Sequence, residues 1–174
     1  LLPDRSVGQL YYGKRIRDRE DYGHMLEYAV RDMAPCPFEG DNTFSREHVR
    51  LEYPVYGTGD MRYPAYSITC GNGSRITGFT YTGHRIFAGK KPLEGLPATY
   101  VEDDEEACSL ELYLEDSLIR VRLVLSYTIY SDFPVVARNA RFECLEGCQG
   151  IRLEQAMSLS LDLPDSRYTM LDLA

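Results

Sequence analysis

Between Cys108 and Tyr130 the apolar residues return at every second position, and that spacing limits the fold more than any other feature of the chain. Leu110, Leu112 and Leu114 alternate with Glu111 and Tyr113. After a turn at Glu115-Asp116-Ser117, the residues Ile119, Val121, Leu123, Leu125, Tyr127 and Ile129 share one parity, and Arg120, Arg122, Ser126 and Thr128 take the other. A helix would repeat its apolar stripe every three to four residues, whereas side chains on a strand alternate between two faces. The pattern predicts two long antiparallel strands with one face on a core and the other wetter. Val135 to Cys144 alternates again, pointing Val136, Ala140 and Phe142 one way. Ile151 to Leu163 does the same with Ile151, Leu153, Met157, Leu159 and Leu161. With no 3.6-residue stripe between 108 and 163, this half reads as all-β and antiparallel.

The first half is less regular. Tyr66 to Thr69, Gly71-Asn72-Gly73 and Arg75 to Thr82 read as a hairpin, because Asn-Gly supplies the positive φ angles of a tight turn. Leu10-Tyr11-Tyr12 reads as a short strand. Arg31 to Asn42, with Pro35, Pro37 and Gly40, reads as an extended loop. The five acids Glu102 to Glu106 lack the spaced ligands and glycine turn of a calcium loop, and read as a solvated hairpin tip.

Composition removes several function classes. The 174 residues suit one domain, and 44% apolar with 26% charged residues is a globular balance. Nineteen basic against 27 acidic residues leave a net charge of −8. The densest basic stretch, Lys14 to Glu20, is interrupted by acids, so no nucleic-acid partner is expected. No apolar run reaches the 18 or so residues of a membrane span, so no membrane partner is expected either. The opening Leu1-Leu2-Pro3-Asp4-Arg5 has neither an initiator Met nor a signal peptide, and reads as a cut inside a longer chain. Five cysteines form no C-x-x-C pair. Cys144 and Cys148 could hold half a metal site, but His24, His48 and His84 are isolated, so buried or semi-buried thiols of a reducing compartment fit better. Asn72-Gly73-Ser74 matches a glycosylation acceptor but reads as a turn. There is no Gly-x-Ser-x-Gly, no patterned Cys–His pair and no phosphate loop. A carboxylate pair would suit glycoside hydrolysis, yet nothing in the pattern selects two of the 27 acids.

The densest segment is Leu51 to Tyr66, in which two prolines, two glycines and four tyrosines enclose Asp60 and Arg62 at i, i+2. It is either a rigid connection whose Asp60 and Arg62 fold onto local backbone, or a stiff loop presenting both as a polar prong. Spacing favours the first reading.

Glu52-Tyr53-Pro54 through Tyr56-Gly57-Thr58-Gly59-Asp60-Met61-Arg62-Tyr63-Pro64-Ala65 closely resembles a signature of the bacterial α-galactosidases of glycoside hydrolase family 36. The resemblance continues through His84-Arg85-Ile86 and is densest at Leu93-Glu94-Gly95-Leu96-Pro97-Ala98-Thr99-Tyr100-Val101-Glu102. Asp116-Ser117-Leu118-Ile119, Arg138-Asn139-Ala140-Arg141-Phe142-Glu143 and Ala156 to Asp162 keep its order. The resemblance implies an antiparallel β-supersandwich of galactose-mutarotase-like fold, incomplete in residues 1–174, which would be a partial N-terminal domain. The (β/α)8 barrel with both catalytic aspartates is absent, so no catalytic residue is expected in this chain. The implied parent is a cofactor-free and metal-free, cytoplasmic, tetrameric enzyme that hydrolyses terminal α-1,6-linked galactose of melibiose and raffinose-type oligosaccharides with retention. Residues Arg31 to Phe44 would form the loop that reaches a neighbouring subunit's active site. Asp41 and Asn42 on it are substrate-binding candidates, Asn42 standing where the family carries an Arg, and the bland alternative is an Asx turn. Asp60 and Arg62 are the other substrate-binding candidates.

Two further readings compete. A stand-alone carbohydrate-binding sandwich would bind sugar by itself. A sugar mutarotase would need a His and a Glu converging on a concave sheet face, and three scattered histidines argue against it. A truncated sandwich would also expose strand edges, through which copies would pair.

Overall fold

The computed structural model describes residues 1–27, 37–38, 41–57, 63–95 and 97–163. Eight strands carry the fold, and the helical content among these residues is three 3-10 turns. Strands β4 (Thr80–Ala88), β5 (Ala107–Asp116), β6 (Val121–Tyr130) and β7 (Val136–Cys144) form one antiparallel sheet in chain order. The period-two segments thus become neighbouring strands, with Leu112 opposite Leu125 and Leu123 opposite Phe142. Asp116 makes the tight β5–β6 turn: its carboxylate accepts the N–H groups of Leu118 and Ile119, and that of Gly78 from across the sheet.

A second sheet pairs β3 (Tyr66–Thr69) with β8 (Arg152–Ala156), and a third pairs β1 (Pro37–Phe38) with β2 (Asp41–Ser45). The main core lies between the first two sheets. Val121, Leu123 and Leu125 of β6, each at most 1% exposed, meet Tyr66, Ile68, Phe79 and Leu114 there. Burying a side chain of this size removes about 1.5–3 kcal/mol of unfavourable hydration, so this cluster supplies much of the stability. Phe79 and Phe142 pack edge-on, with centroids 6.2 Å apart. A smaller cluster of Leu2, Phe44 and Leu51 joins the amino-terminal segment to β2. There Asp4 accepts hydrogen bonds from Ser6 and pairs with Arg46 at 2.5 Å.

Several sequence expectations need correction. The hairpin expected from Tyr66 to Thr82 does not form. The Asn-Gly turn is present, with Gly73 at φ +80° and the Cys70 N–H bonded to the Ser74 carbonyl. Beyond it the chain crosses to the other sheet, burying Thr77 and Phe79, and β3 spends its ladder on β8. β4 accordingly starts at Thr80 and runs past Gly83, where the register shifts. Leu10 to Tyr12 forms no strand, and only a single bridge joins Gly8 to Leu51. Part of the expected loop from Arg31 to Asn42 is strand: its described residues lie in β1 and the start of β2. β8 stops at Ala156, so the alternation to Leu163 outlasts the strand. Glu102 to Glu106 are exposed, ending in a 3-10 turn that leads into β5.

Cys144 and Cys148 are joined as a disulfide, not left as separate thiols. The turn at Glu146-Gly147, with Gly147 at φ +87°, brings their Cα atoms to 5.4 Å, within bridging range. Cys70 and Cys108 are free, and Cys36 lies outside the described residues. Among the described residues no helix is long and apolar enough to cross a membrane.

Candidate functional site

The segment singled out by sequence, Leu51 to Tyr66, is fixed at both ends. Asp60 and Arg62 fall within 58–62, outside the described residues, but the two feet of that loop are defined. The Ala65 N–H donates to the Pro54 carbonyl at 2.8 Å, and Val55 bridges Tyr66 in parallel. These contacts close the loop from Tyr56 to Pro64 to the width of a strand pair. β8 grips the second foot: Gln155 Nε2 donates to the Pro64 carbonyl, and the Met157 N–H donates to that of Ala65. The first foot is held by Tyr53, whose hydroxyl donates to the Met157 carbonyl. Gly57 sits at φ +83°, a conformation that costs other residues strain. Beside it Tyr56 and Tyr63 are exposed, with the Arg75 guanidinium 5.4 Å from the Tyr56 ring.

The base of this loop is a charged cluster. Glu52 accepts the Tyr127 hydroxyl at 2.7 Å and lies 3.2 Å from Arg138 Nη1, whose side chain is 5% exposed. That separation supports an ion pair, while the direction is poor for a hydrogen bond: Nε and Nη1 of Arg138 have no hydrogen-bond acceptor. Aromatic faces take the acceptor's place, the guanidinium lying 4.9 Å from the Tyr127 centroid and 5.4 Å from that of Tyr53. Burial raises the Glu52 pKa above its ordinary value, although Tyr127 and Arg138 oppose the rise. Burial raises Tyr127 as well, with the Glu52 charge adding to it. The three side chains are spent on one another, so the cluster works as a pin.

Asp41 and Asn42 lie on β2, and their side chains fall outside what the structure describes. β2 runs into a 3-10 turn, Arg46–His48. Arg46 shares a cavity of about 40 Å³ with Tyr53, Val55 and Tyr66. The turn after β2 and the first foot of the 51–66 segment thus border one small cavity. Spacing had favoured the bland reading of this loop. The feet define a stiff support, which fits either reading of Asp60 and Arg62.

Sequence reasoning missed Tyr127 and Arg138 as partners of Glu52, because 75 and 86 residues separate them from it and no local pattern links them. It also missed Glu111, placed on the wetter face of β5. That face is partly roofed by the chain after β4, and Lys91 Nζ lies 2.9 Å from both carboxylate oxygens. A polar cavity of about 80 Å³ remains beside the pair, lined also by Ser126, Asn139 and Arg141. Burial pushes the Glu111 pKa up, but Lys91 and the Tyr113 hydroxyl outweigh it and hold the group below its ordinary value. No histidine lines this cavity. His24 and His48 lie in separate 3-10 turns, and His84 bonds Tyr81 at 2.6 Å. The His–Glu convergence of a mutarotase is thus not formed among the described residues. Nor do three metal-ligating side chains meet among them.

Comparison with known proteins places this architecture. Residues 5–174 match the model of the glycosyl hydrolase family 36 N-terminal domain. Alpha-galactosidase AgaA of Geobacillus stearothermophilus is 41% identical over 173 residues, which are 99% of this chain and 24% of that protein. The crystal structure of the α-galactosidase from Lactobacillus brevis superposes with a TM-score of 0.85 at 33% identity, over 94% of this chain and 22% of that one. A variant of AgaA in complex with raffinose superposes with a TM-score of 0.80 at 40% identity, over 92% of this chain and 22% of that one. The chain spans about a quarter of the length of the relatives it matches.

Proposed function

The chain belongs to the glycosyl hydrolase family 36 N-terminal domain family, and from that premise we propose that it is the non-catalytic sandwich portion of an α-galactosidase. In this reading it supports a separate catalytic barrel, contributes to a homo-oligomer and shapes the side of an active site that receives the sugar beyond the scissile bond. The enzyme it serves cleaves terminal α-1,6-linked galactose from raffinose-type oligosaccharides with retention, in the cytoplasm and without a cofactor. One observation carries the reading: the two ends that flank residues 58–62 are tied together at Pro54–Ala65 and braced by the buried Glu52–Arg138–Tyr127 cluster. Ends held at a fixed separation lower the ordering cost that a segment between them bears on binding. A raffinose complex of a 40%-identical relative supports the substrate class.

In this account Asp60 and Arg62 meet sugar hydroxyls, Asp60 accepting and Arg62 donating. Asp41 and Asn42 on β2 serve the same side of the site. The test is a chimera in which this chain replaces the matching quarter of AgaA. Asp60→Asn or Arg62→Lys should lower kcat/KM for raffinose about tenfold, because a hydrogen bond to a charged group is worth about 1.5–3 kcal/mol. Hydrolysis of p-nitrophenyl α-galactoside, which lacks the further sugars, should change less than about twofold. Equal losses on both substrates, or none on either, would remove the two residues from the sugar-binding role. The alternative reading, a stand-alone carbohydrate-binding sandwich, requires the 174-residue chain by itself to show residue-specific shifts on titration with galactose or raffinose.

A further inference from the structure

The densest stretch of family signature, Leu93 to Glu102, does little for the core of the domain, since neither core cluster includes any of it. Its second part instead forms one wall of an open cleft of about 700 Å³. Pro97 to Tyr100 face Asp132, Phe133 and Val135 of the β6–β7 turn, with Tyr130 between them. The walls are tied together: the Tyr130 hydroxyl donates to Thr99 Oγ1 at 2.6 Å, and the Ser131 N–H donates to the Glu106 carbonyl at 2.8 Å. Lys90 Nζ donates to the Thr99 carbonyl, so the wall is held on both sides.

The cleft exposes what a folded domain normally hides. Tyr100 is 75% and Phe133 66% exposed. Val135 borders the same cleft and is 45% exposed. Large apolar side chains exposed together on one cleft mark a contact surface. Glu106 and Asp132 line the cleft with acidic groups, and Asp103, Asp104 and Glu105 stand exposed in the residues that lead to Glu106. An apolar centre inside a charged rim is the anatomy of a protein–protein contact. A saccharide site would need polar groups converging on its floor, whereas the groups on this floor already bond to each other.

We propose that this cleft is the surface on which the remainder of the α-galactosidase polypeptide docks, through an apolar projection bordered by Lys and Arg. The inference rests on the proposed function, and the length of the relatives argues for this occupant: about three-quarters of each lies outside the part matched here. Tyr100 and Phe133 are the anchors, and the acidic rim steers the partner's basic border into register.

Hydrogen exchange on the 174-residue chain and on the AgaA chimera tests this. Amides of 98–101 and 129–136 should exchange at least about tenfold more slowly in the chimera. Raising the salt from about 0.05 to 0.5 M should reduce that protection. Tyr100→Ser and Phe133→Ser should abolish it in the chimera while leaving the unfolding midpoint of the chain alone unchanged. Equal exchange in both proteins would overturn the proposal. So would the same protection in the chain alone, whether from self-association seen by light scattering or from added raffinose. A chimera that folds and shows the protection but hydrolyses no α-galactoside would defeat the proposed function and leave the docking surface standing. One that hydrolyses without protection does the reverse.

Discussion

Replacing Arg138 by alanine perturbs the support of the 58–62 loop at its most buried point. The guanidinium is 5% exposed, sits 3.2 Å from Glu52 and lies within 5.4 Å of two tyrosine rings. Its loss leaves the Glu52 carboxylate, at 17% exposure, with the Tyr127 hydroxyl and no cation. Breaking a buried pair by removing one partner costs about 3–5 kcal/mol, most of it the penalty of an uncompensated charge. For a domain of this size about 2–4 °C of Tm corresponds to 1 kcal/mol, so Arg138→Ala should lower Tm by about 6–20 °C. Urea unfolding at neutral pH, with circular dichroism and fluorescence as independent probes, measures the change. Glu52→Gln keeps an acceptor for Tyr127 and should cost less. The double variant should then show a coupling of about 1–3 kcal/mol. The pH dependence adds a control. Arg138→Ala raises the Glu52 pKa further above its ordinary value. A carboxyl raised in the folded state is penalised at every pH above its folded pKa and relieved as pH falls toward the unfolded one. The variant should therefore recover stability relative to wild type on acidification, and the double variant should not. A loss under about 1 kcal/mol, or strictly additive effects, would refute the view that this cluster pins the loop.

Two further outcomes follow from the same structure. Asp4 and Glu111 are pulled the other way: burial raises each, but Ser6 and Arg46 at Asp4, and Lys91 and Tyr113 at Glu111, leave both below their ordinary values. Their stabilisation is complete above the ordinary carboxylate range and is lost as pH falls through the folded pKa values. Asp4→Asn and Glu111→Gln should flatten the acid limb of a stability–pH curve, and a limb unchanged in both variants would contradict the assignment. Gly150 stands at φ +62°, with an added Cβ only 3.1 Å from the Gly71 Cα. Gly150→Ala should cost about 1–3 kcal/mol through backbone strain where the β3 turn meets the entry to β8, and a neutral result in urea unfolding would show that the contact yields freely.

The sheet was legible in the sequence wherever the pattern was local. Leu110, Leu112, Leu114, Val121, Leu123 and Leu125 lie on β5 and β6 as their spacing requires, because strand parity is a property of the backbone alone. Ile129 has the same parity yet is 59% exposed, since burial also needs a covering layer, and the β3–β8 sheet does not reach that end. Val124 has the opposite parity and is fully buried. The partner of β3 could not be read, because a turn sequence encodes a reversal and not the strand that takes the ladder; 83 residues separate Thr69 from Arg152. Among the candidate site residues, parity and turn rules say nothing about Asp41, Asn42, Asp60 or Arg62, whose proposed roles rest on family resemblance. Arg138 and Tyr127, the buried supports beside the 58–62 segment, were hidden by sequence distance.

Steady-state hydrolysis of raffinose by the 174-residue chain, beside the same chain joined to the remaining three-quarters of AgaA, tests the account most directly. The account predicts no turnover above the uncatalysed rate for the chain alone and measurable release of galactose from the joined protein. Turnover by the isolated chain, abolished by substituting one of its own carboxylates, would contradict it.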